Sequence, residues 1–503
     1  MRIRFLILFL FPLLTLGQTQ SVGHDPLSKQ DWITHVHSDS LHGSIRPFIE
    51  GFENTFFQSL DSSYSTLQYK NEIYLRPSGS ASVGGQLSPD MTPNAFNGIG
   101  FGLGFHIKDR LFIDGGYTPV YFNPARPYAY LADSTGVIPG AGFATKYGRG
   151  FMRHQFKGRA VFNASKIFSL EVGQDKHFWG DGYRSLILSH NAAPYPYARI
   201  TTKIWNVKYV NLWAQMRDVG QAQSRQDMRR KYTAMHALSW QATPKLNFSL
   251  YEMIVWQATD TLNNRGFDLN YANPIIFFRP VEFSRGSADN VLIGCSWKWK
   301  FHQNHNFYGQ LMFDEFLLFE LRRRSGWWAN KFGVQLGLKN FNLFTQGLHT
   351  MNEVNIVRPF TYTHGSIIQA FGNENQGLAH PMGTNFVEWI NLWRFERENW
   401  YVTHKFIWAI WGRDVDPKEN YGGNIFESYA NPSYQYGNYL AQGLKSTFHW
   451  EEITYGRRIK ENSNIWLNAS IAMRYEKNDH NKNVDLFVNF GIRTDLWQGY
   501  RDF

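Results

Sequence analysis

Apolar and polar residues alternate one by one along much of this chain, most cleanly near its end. From Ile465 to Tyr475 one face carries Ile465, Leu467, Ala469, Ile471, Met473 and Tyr475, and the other Trp466, Asn468, Ser470, Ala472 and Arg474. Val484, Leu486, Val488, Phe490 and Ile492 repeat the pattern against Asp485, Phe487, Asn489, Gly491 and Arg493, ahead of the last residue, Phe503. A period of two is that of a strand with two unlike faces. Phe156–Phe162, Phe168–Gln174, Thr233–Gln241 and Leu246–Trp256 read the same way. Short turns at Lys108-Asp109, Ser165-Lys166, Thr243-Pro244-Lys245, Gln303-Asn304, Lys339-Asn340 and Glu396–Asn399 join such segments into hairpins. Longer polar connections cover Thr118–Gly150, Arg217–Arg230, Thr259–Asn290, Thr350–Thr384 and Gly412–Leu440.

Short turns at one end and long loops at the other are the asymmetry of a membrane barrel, whose apolar face meets lipid and whose polar face meets a wet lumen. The expected fold is all-β: a closed antiparallel transmembrane outer-membrane β-barrel of about 16–18 strands over residues 97–503. Residues 18–96 alternate poorly and are expected to form a lead-in, a plug or the first strands. The start reads as a cleavable signal peptide over residues 1–17: Arg2 and Arg4, an apolar run Phe5–Leu16, then Thr15 and Gly17 as the small residues of a cleavage site. Export and a cell outer-membrane location follow.

Composition agrees with a wet barrel. Aromatic residues make up 17% of the 503, while only 43% of residues are hydrophobic. Many aromatics in a polar chain suit interfacial girdles around a polar interior. No later run approaches the ~20 apolar residues of a spanning helix. Cys295 is the only cysteine, so neither an intramolecular disulfide nor a cysteine metal site is available. The net charge of +10 favours anionic partners: lipopolysaccharide phosphates or acidic polysaccharide, and no nucleic acid.

The richest stretch for chemistry is Gly173–Ile200. Asp175, Trp179, Asp181, Tyr183, Arg184 and Asn191 combine flat aromatic faces with hydroxyl-bonding groups, the mixture that holds a sugar. Arg279, Glu282, Asp314 and Glu315 are expected to form a charge cluster in the lumen. Paired carboxylates can work on a glycosidic bond, but lumen faces are routinely polar and a bracing role is expected. Arg322, Arg323 and Arg324 precede Trp327 and Trp328, a pairing suited to anionic glycan or lipopolysaccharide headgroups. His35, His37, His42 and Asp39 lie close together without a further ligand, and no metal or cofactor is expected. Ser189-His190 would point to opposite faces of a strand and lack a nucleophile elbow, so no enzyme activity is expected.

A family resemblance rests on Gly173-Gln174-Asp175, Phe178-Trp179-Gly180-Asp181-Gly182 and Ser185–Ala192 with its following Pro194. Asn273–Glu282, Asp289–Gly294, Tyr308-Gly309-Gln310 with Phe313–Phe316, Ser44–Pro47 and Arg493–Leu496 with Asp502-Phe503 extend it. These blocks resemble the Wzi-like capsule-assembly family of outer-membrane barrels and its Bacteroidetes, RemB-like, gliding-motility-associated branch. The resemblance implies a barrel of about eighteen strands and attachment or assembly of surface or capsular polysaccharide. For the second branch it implies an accessory subunit of a larger gliding-motility or type 9 secretion complex. A diffusion porin is the third function considered. The capsule branch carries an N-terminal helical plug, and no helical periodicity precedes Phe96 here.

Overall fold

The computed structural model describes residues 27, 42–46, 72–87, 92–107, 110–124, 126–220, 222, 224–259, 265–277, 289–414, 416, 418–459, 465–494 and 502. Eighteen antiparallel strands close into one barrel. The wall runs from Glu72–Gln86 to Lys482–Thr494, and these two strands close the ring with Ser80 opposite Arg493 and Gln86 opposite Phe487. Alternation decides which way side chains point. In Phe168–Asp175, Phe168, Leu170 and Val172 are exposed on the outside, while Ser169 and Glu171 are buried inside. In the last strand Val484, Leu486, Phe490 and Ile492 lie outside, and Asp485 and Phe487 inside.

Tight connections at 164–167, 205–206, 244–245, 303–304 and 398–399 gather at one end. Long ones at 124–149, 176–194, 219–228, 258–289, 316–330, 358–385 and 414–443 gather at the other. The wall begins with Glu72–Gln86, so this part of residues 18–96 takes the alternative of first strands, although Ser78-Gly79-Ser80-Ala81-Ser82 has little hydropathy contrast to reveal it. Two boundaries differ from the expectation. Thr350–Val357 belongs to the strand Leu348–Val357. Its outward face interrupts Leu348, Val354 and Ile356 with Asn352, bonded to Asn391, opposite inward Glu353 and Asn355, and this blurs the alternation. Lys339 and Asn340 end the strand Lys331–Asn340, and the turn falls at 341–347. The last described wall strand runs to Thr494, and Asp502, eight positions on, is buried. Residues 1–17, Lys108, Asp109 and Phe503 lie outside the described residues.

The lumen is crossed by chain. Loops 176–194 and 358–385 fold inward, joined by the segment 42–46. Ile45–Arg46 forms a two-residue antiparallel ladder with Phe178–Trp179. Leu186, Ile187 and Leu188 are fully buried in an apolar core with Tyr251, Leu292 and Met312 of the wall. The wall makes room with glycine: a Cβ on Gly294 would collide with the Ile187 side chain.

Candidate functional site

The inward loop is held by ordinary hydrogen-bond accounting, since backbone buried away from water must find partners. After the strand Phe168–Asp175 the chain turns in, and Lys176 Nζ donates to the carbonyl of His190 at 2.9 Å. Trp179 is fully buried, its ring 5.8 Å from that of Tyr251. Its carbonyl accepts from Ser185 Oγ at 2.5 Å and Gln310 Nε2 at 3.0 Å. Asp181 accepts from Ser44 Oγ at 2.6 Å and Lys298 Nζ at 3.1 Å. At Gly182 any side chain would overlap the Glu353 carboxylate. That carboxylate accepts from the Tyr183 and Arg184 backbone N–H groups at 2.8 and 3.0 Å, and from the Tyr308 hydroxyl at 2.8 Å.

Arg184 is the hub. It is 0% exposed, and donates to Asp502 Oδ1 at 3.0 Å and to Glu388 Oε1 at 3.2 Å. Lys405 Nζ bridges Asp502 and Glu452, each at 2.7 Å. The Tyr183 hydroxyl also donates to Asp502, and His380 Nε2 lies 2.7 Å from Glu388 Oε2. Burial pushes the Asp502 carboxyl up, but Arg184 and Lys405 more than reverse this and hold it well below the usual carboxylate range. Burial lowers His380 despite its carboxylate partner. Burial, then the charge of Arg199, keeps His177 neutral between Tyr195 and Tyr197.

Thus, of the residues expected to hold a sugar, all but Asp175 sit on the loop that folds into the barrel. Trp179, Asp181, Arg184 and Asn191 are buried, with Asn191 Nδ2 donating to the Gly377 carbonyl at 2.9 Å. Tyr183 is half-buried, and Asp175 pairs with Lys157 at 3.5 Å in the wall. Of the expected lumen cluster, Asp314 and Glu315 both pair with Lys331, at 3.1 and 3.2 Å. Arg279 and Glu282 lie outside the described residues. His42 Nδ1 lies 3.0 Å from Ser239 Oγ, while His35, His37 and Asp39 lie outside the described residues. Ser189 Oγ donates to the Ala379 carbonyl, so it holds two loops together. Glu353, Glu388 and Lys405 carried no signal in the sequence, and Asp502 entered only through the family resemblance: the partners of each are distant in the chain.

A second site lies at the long-loop end. Arg322, Arg323 and Arg324 are exposed, and Trp327 and Trp328 half-buried. Trp328 packs its ring 5.7 Å from Phe360 and 5.0 Å from Tyr429. The segment 325–328 anneals to the loop 414–443. The Trp328 N–H donates to the Gln435 carbonyl at 3.1 Å, that of Gly437 to Ser325 at 2.8 Å and that of Asn438 to Gly326 at 2.9 Å. On this braced backbone Tyr434, Tyr436 and Tyr439 stand 53%, 58% and 64% exposed. Sequence reasoning passed over them, although four tyrosines between positions 429 and 439 were a usable signal.

No family model matches the sequence, and no curated protein matches it. Among solved structures, the chain is similar to Wzi, an outer-membrane protein involved in group 1 capsule assembly in Escherichia coli and described as a carbohydrate-binding β-barrel. The superposition has a TM-score of 0.58 at 13% identity and covers 92% of this chain and 96% of that one. OccK8 (OprE) of Pseudomonas aeruginosa matches with a TM-score of 0.44 at 7% identity, covering 84% of this chain and 97% of that one. OccAB4 of Acinetobacter baumannii gives 0.45 at 8%, covering 84% and 98%. The likeness to Wzi is one of fold, that of an outer-membrane barrel, and supports an outer-membrane location.

Proposed function

We propose that this protein is a non-enzymatic outer-membrane barrel that binds surface polysaccharide at its long-loop, extracellular end. The observation that carries this is the trio Tyr434, Tyr436 and Tyr439. Three large rings held in water on a hydrogen-bonded loop are costly unless something covers them. A tyrosine offers a flat apolar face to a sugar ring and a hydroxyl to its hydroxyls, with little side-chain entropy to lose. Exposed Asn431 and Ser433 precede them and exposed Gln435 lies between the first two, adding amide and hydroxyl groups. The likeness to a carbohydrate-binding barrel supports the same reading. The inward loops, tied to the wall by Arg184 and Glu353, weigh against a wide diffusion path.

The test is calorimetric titration of the detergent-purified protein with acidic capsular polysaccharide, beside a variant with Tyr434, Tyr436 and Tyr439 all replaced by Ala. Losing three stacking contacts should weaken binding by at least about tenfold. Equal affinity in the two proteins, or no binding by either, would sink the proposal.

A further inference from the structure

The loop 316–330 carries a feature that polysaccharide binding leaves unused. Its first part lies on the outside of the barrel, not over the mouth. In the strand His305–Glu315, Tyr308, Gln310 and Met312 are buried inside, so Phe313 points outward. In Lys331–Asn340, Lys331 and Gln335 are buried inside, so Phe332 also points outward. The Phe316 ring packs on these two outward rings, at 5.2 and 6.2 Å. The helix Leu318–Arg322 that follows buries no residue. Phe316, Leu317, Leu318, Phe319 and Leu321 are 37–58% exposed. Five neighbouring apolar side chains, the first resting on the outward wall rings and none buried by the described residues, continue the membrane band upward.

Cations follow at once. Arg322, Arg323 and Arg324 are exposed, and Arg323 sits over the Phe319 ring at 5.1 Å. Arg358, from the next loop, lies over the outward Phe332 ring at 5.6 Å. Its Nε is buried without a hydrogen-bond partner. The order from wall to water is therefore acyl-compatible surface, then guanidinium groups. Arginine matches phosphate oxygens with paired N–H donors.

We infer that Phe316–Leu321 and the arginines 322–324, with Arg358, form a binding site for a phosphorylated lipid of the outer leaflet, of the lipid A type. Acyl chains lie along the Phe316–Leu321 surface, and phosphate lies against the guanidinium groups. The commitment to a lipid and against a soluble glycan rests on the Phe316 contact, which puts the apolar half of the site on the membrane side. The inference takes the outer-membrane orientation of the proposed function as given, but not its ligand.

The test is native mass spectrometry of the full chain in detergent with bis-phosphorylated lipid A, dephosphorylated lipid A and phosphatidylglycerol as probes. The site predicts retention of bis-phosphorylated lipid A above the other two. It also predicts loss by at least about tenfold when Arg322, Arg323 and Arg324 are all changed to Ala. A Phe316→Ser, Leu318→Ser variant should lose all three lipids. The triple tyrosine variant should keep lipid A binding while losing polysaccharide, which separates failure here from failure of the proposed function. Heat-dependent migration on gels checks that each variant is folded. Unchanged lipid A binding in the arginine variant overturns the inference. So does loss of polysaccharide binding in that variant with lipid A retained.

Discussion

Arg184 shows how a single residue can hold a buried assembly together. Its side chain is out of water and touches two carboxylates, Glu388 and Asp502. Asp502 is shared in turn with Lys405. Removing one partner of a buried ion pair leaves charge without solvent or compensation. Arg184→Met should destabilise folding by about 4–5 kcal/mol, while Asp502→Asn should cost about 2–3, since Arg184 keeps Glu388 and Lys405 keeps Glu452. The pH dependence follows from the lowered Asp502 value. A depressed carboxyl contributes stability above its unfolded value of 3.8, and loses it as pH falls through the folded one. Urea unfolding in lipid vesicles should therefore show a gap between wild type and Asp502→Asn that is full at neutral pH and shrinks in acid. A pH-independent gap would mean that Asp502 acts by packing alone. Arg184 was singled out in the sequence by its neighbours Trp179 and Tyr183. Its role was not legible, because Glu388 and Asp502 are separated from it by 204 and 318 positions.

At the scale of elements, the strands were legible and the loops were not. A strand with one wet and one lipid face must alternate, and Lys482–Thr494 does so without exception at its apolar outward positions. Leu348–Val357 was blurred because Glu353 and Asn355 face a filled, hydrogen-bonded lumen while Asn352 pairs with Asn391 outside. The loop 176–194 was recognised as unusual, but its direction depends on wall groups that receive it, Gln310, Glu353 and Gln335. This loop carries a prediction of its own. Replacing residues 180–190 by a short Gly-Ser linker should raise single-channel conductance in planar bilayers several-fold, because the loop's apolar core leaves the lumen. An unchanged conductance would show that other chain blocks the path.

For the whole molecule, the barrel sorts its loops by length, and that sorting assigns the two ends. With the long-loop end outward, Ser433→Cys should react with a membrane-impermeant maleimide on intact cells and Trp205→Cys should not, both in a Cys295→Ser background. Labelling in the reverse order would invert the topology and with it both proposed sites. The alternation, the turn rhythm and the aromatic content determined a transmembrane barrel from sequence alone, because each strand's two solvents are written locally, at every second residue. Tertiary structure alone decided that Trp179 and Arg184 face inward, that Asp502 returns to the lumen, and that Phe316 rests on the outer wall. The Arg184 and Asp502 contacts join positions hundreds of residues apart, and the Phe316 contact depends on two strands pairing in the wall. The sequence carries each partner but not the closure of the ring that brings them within bonding distance.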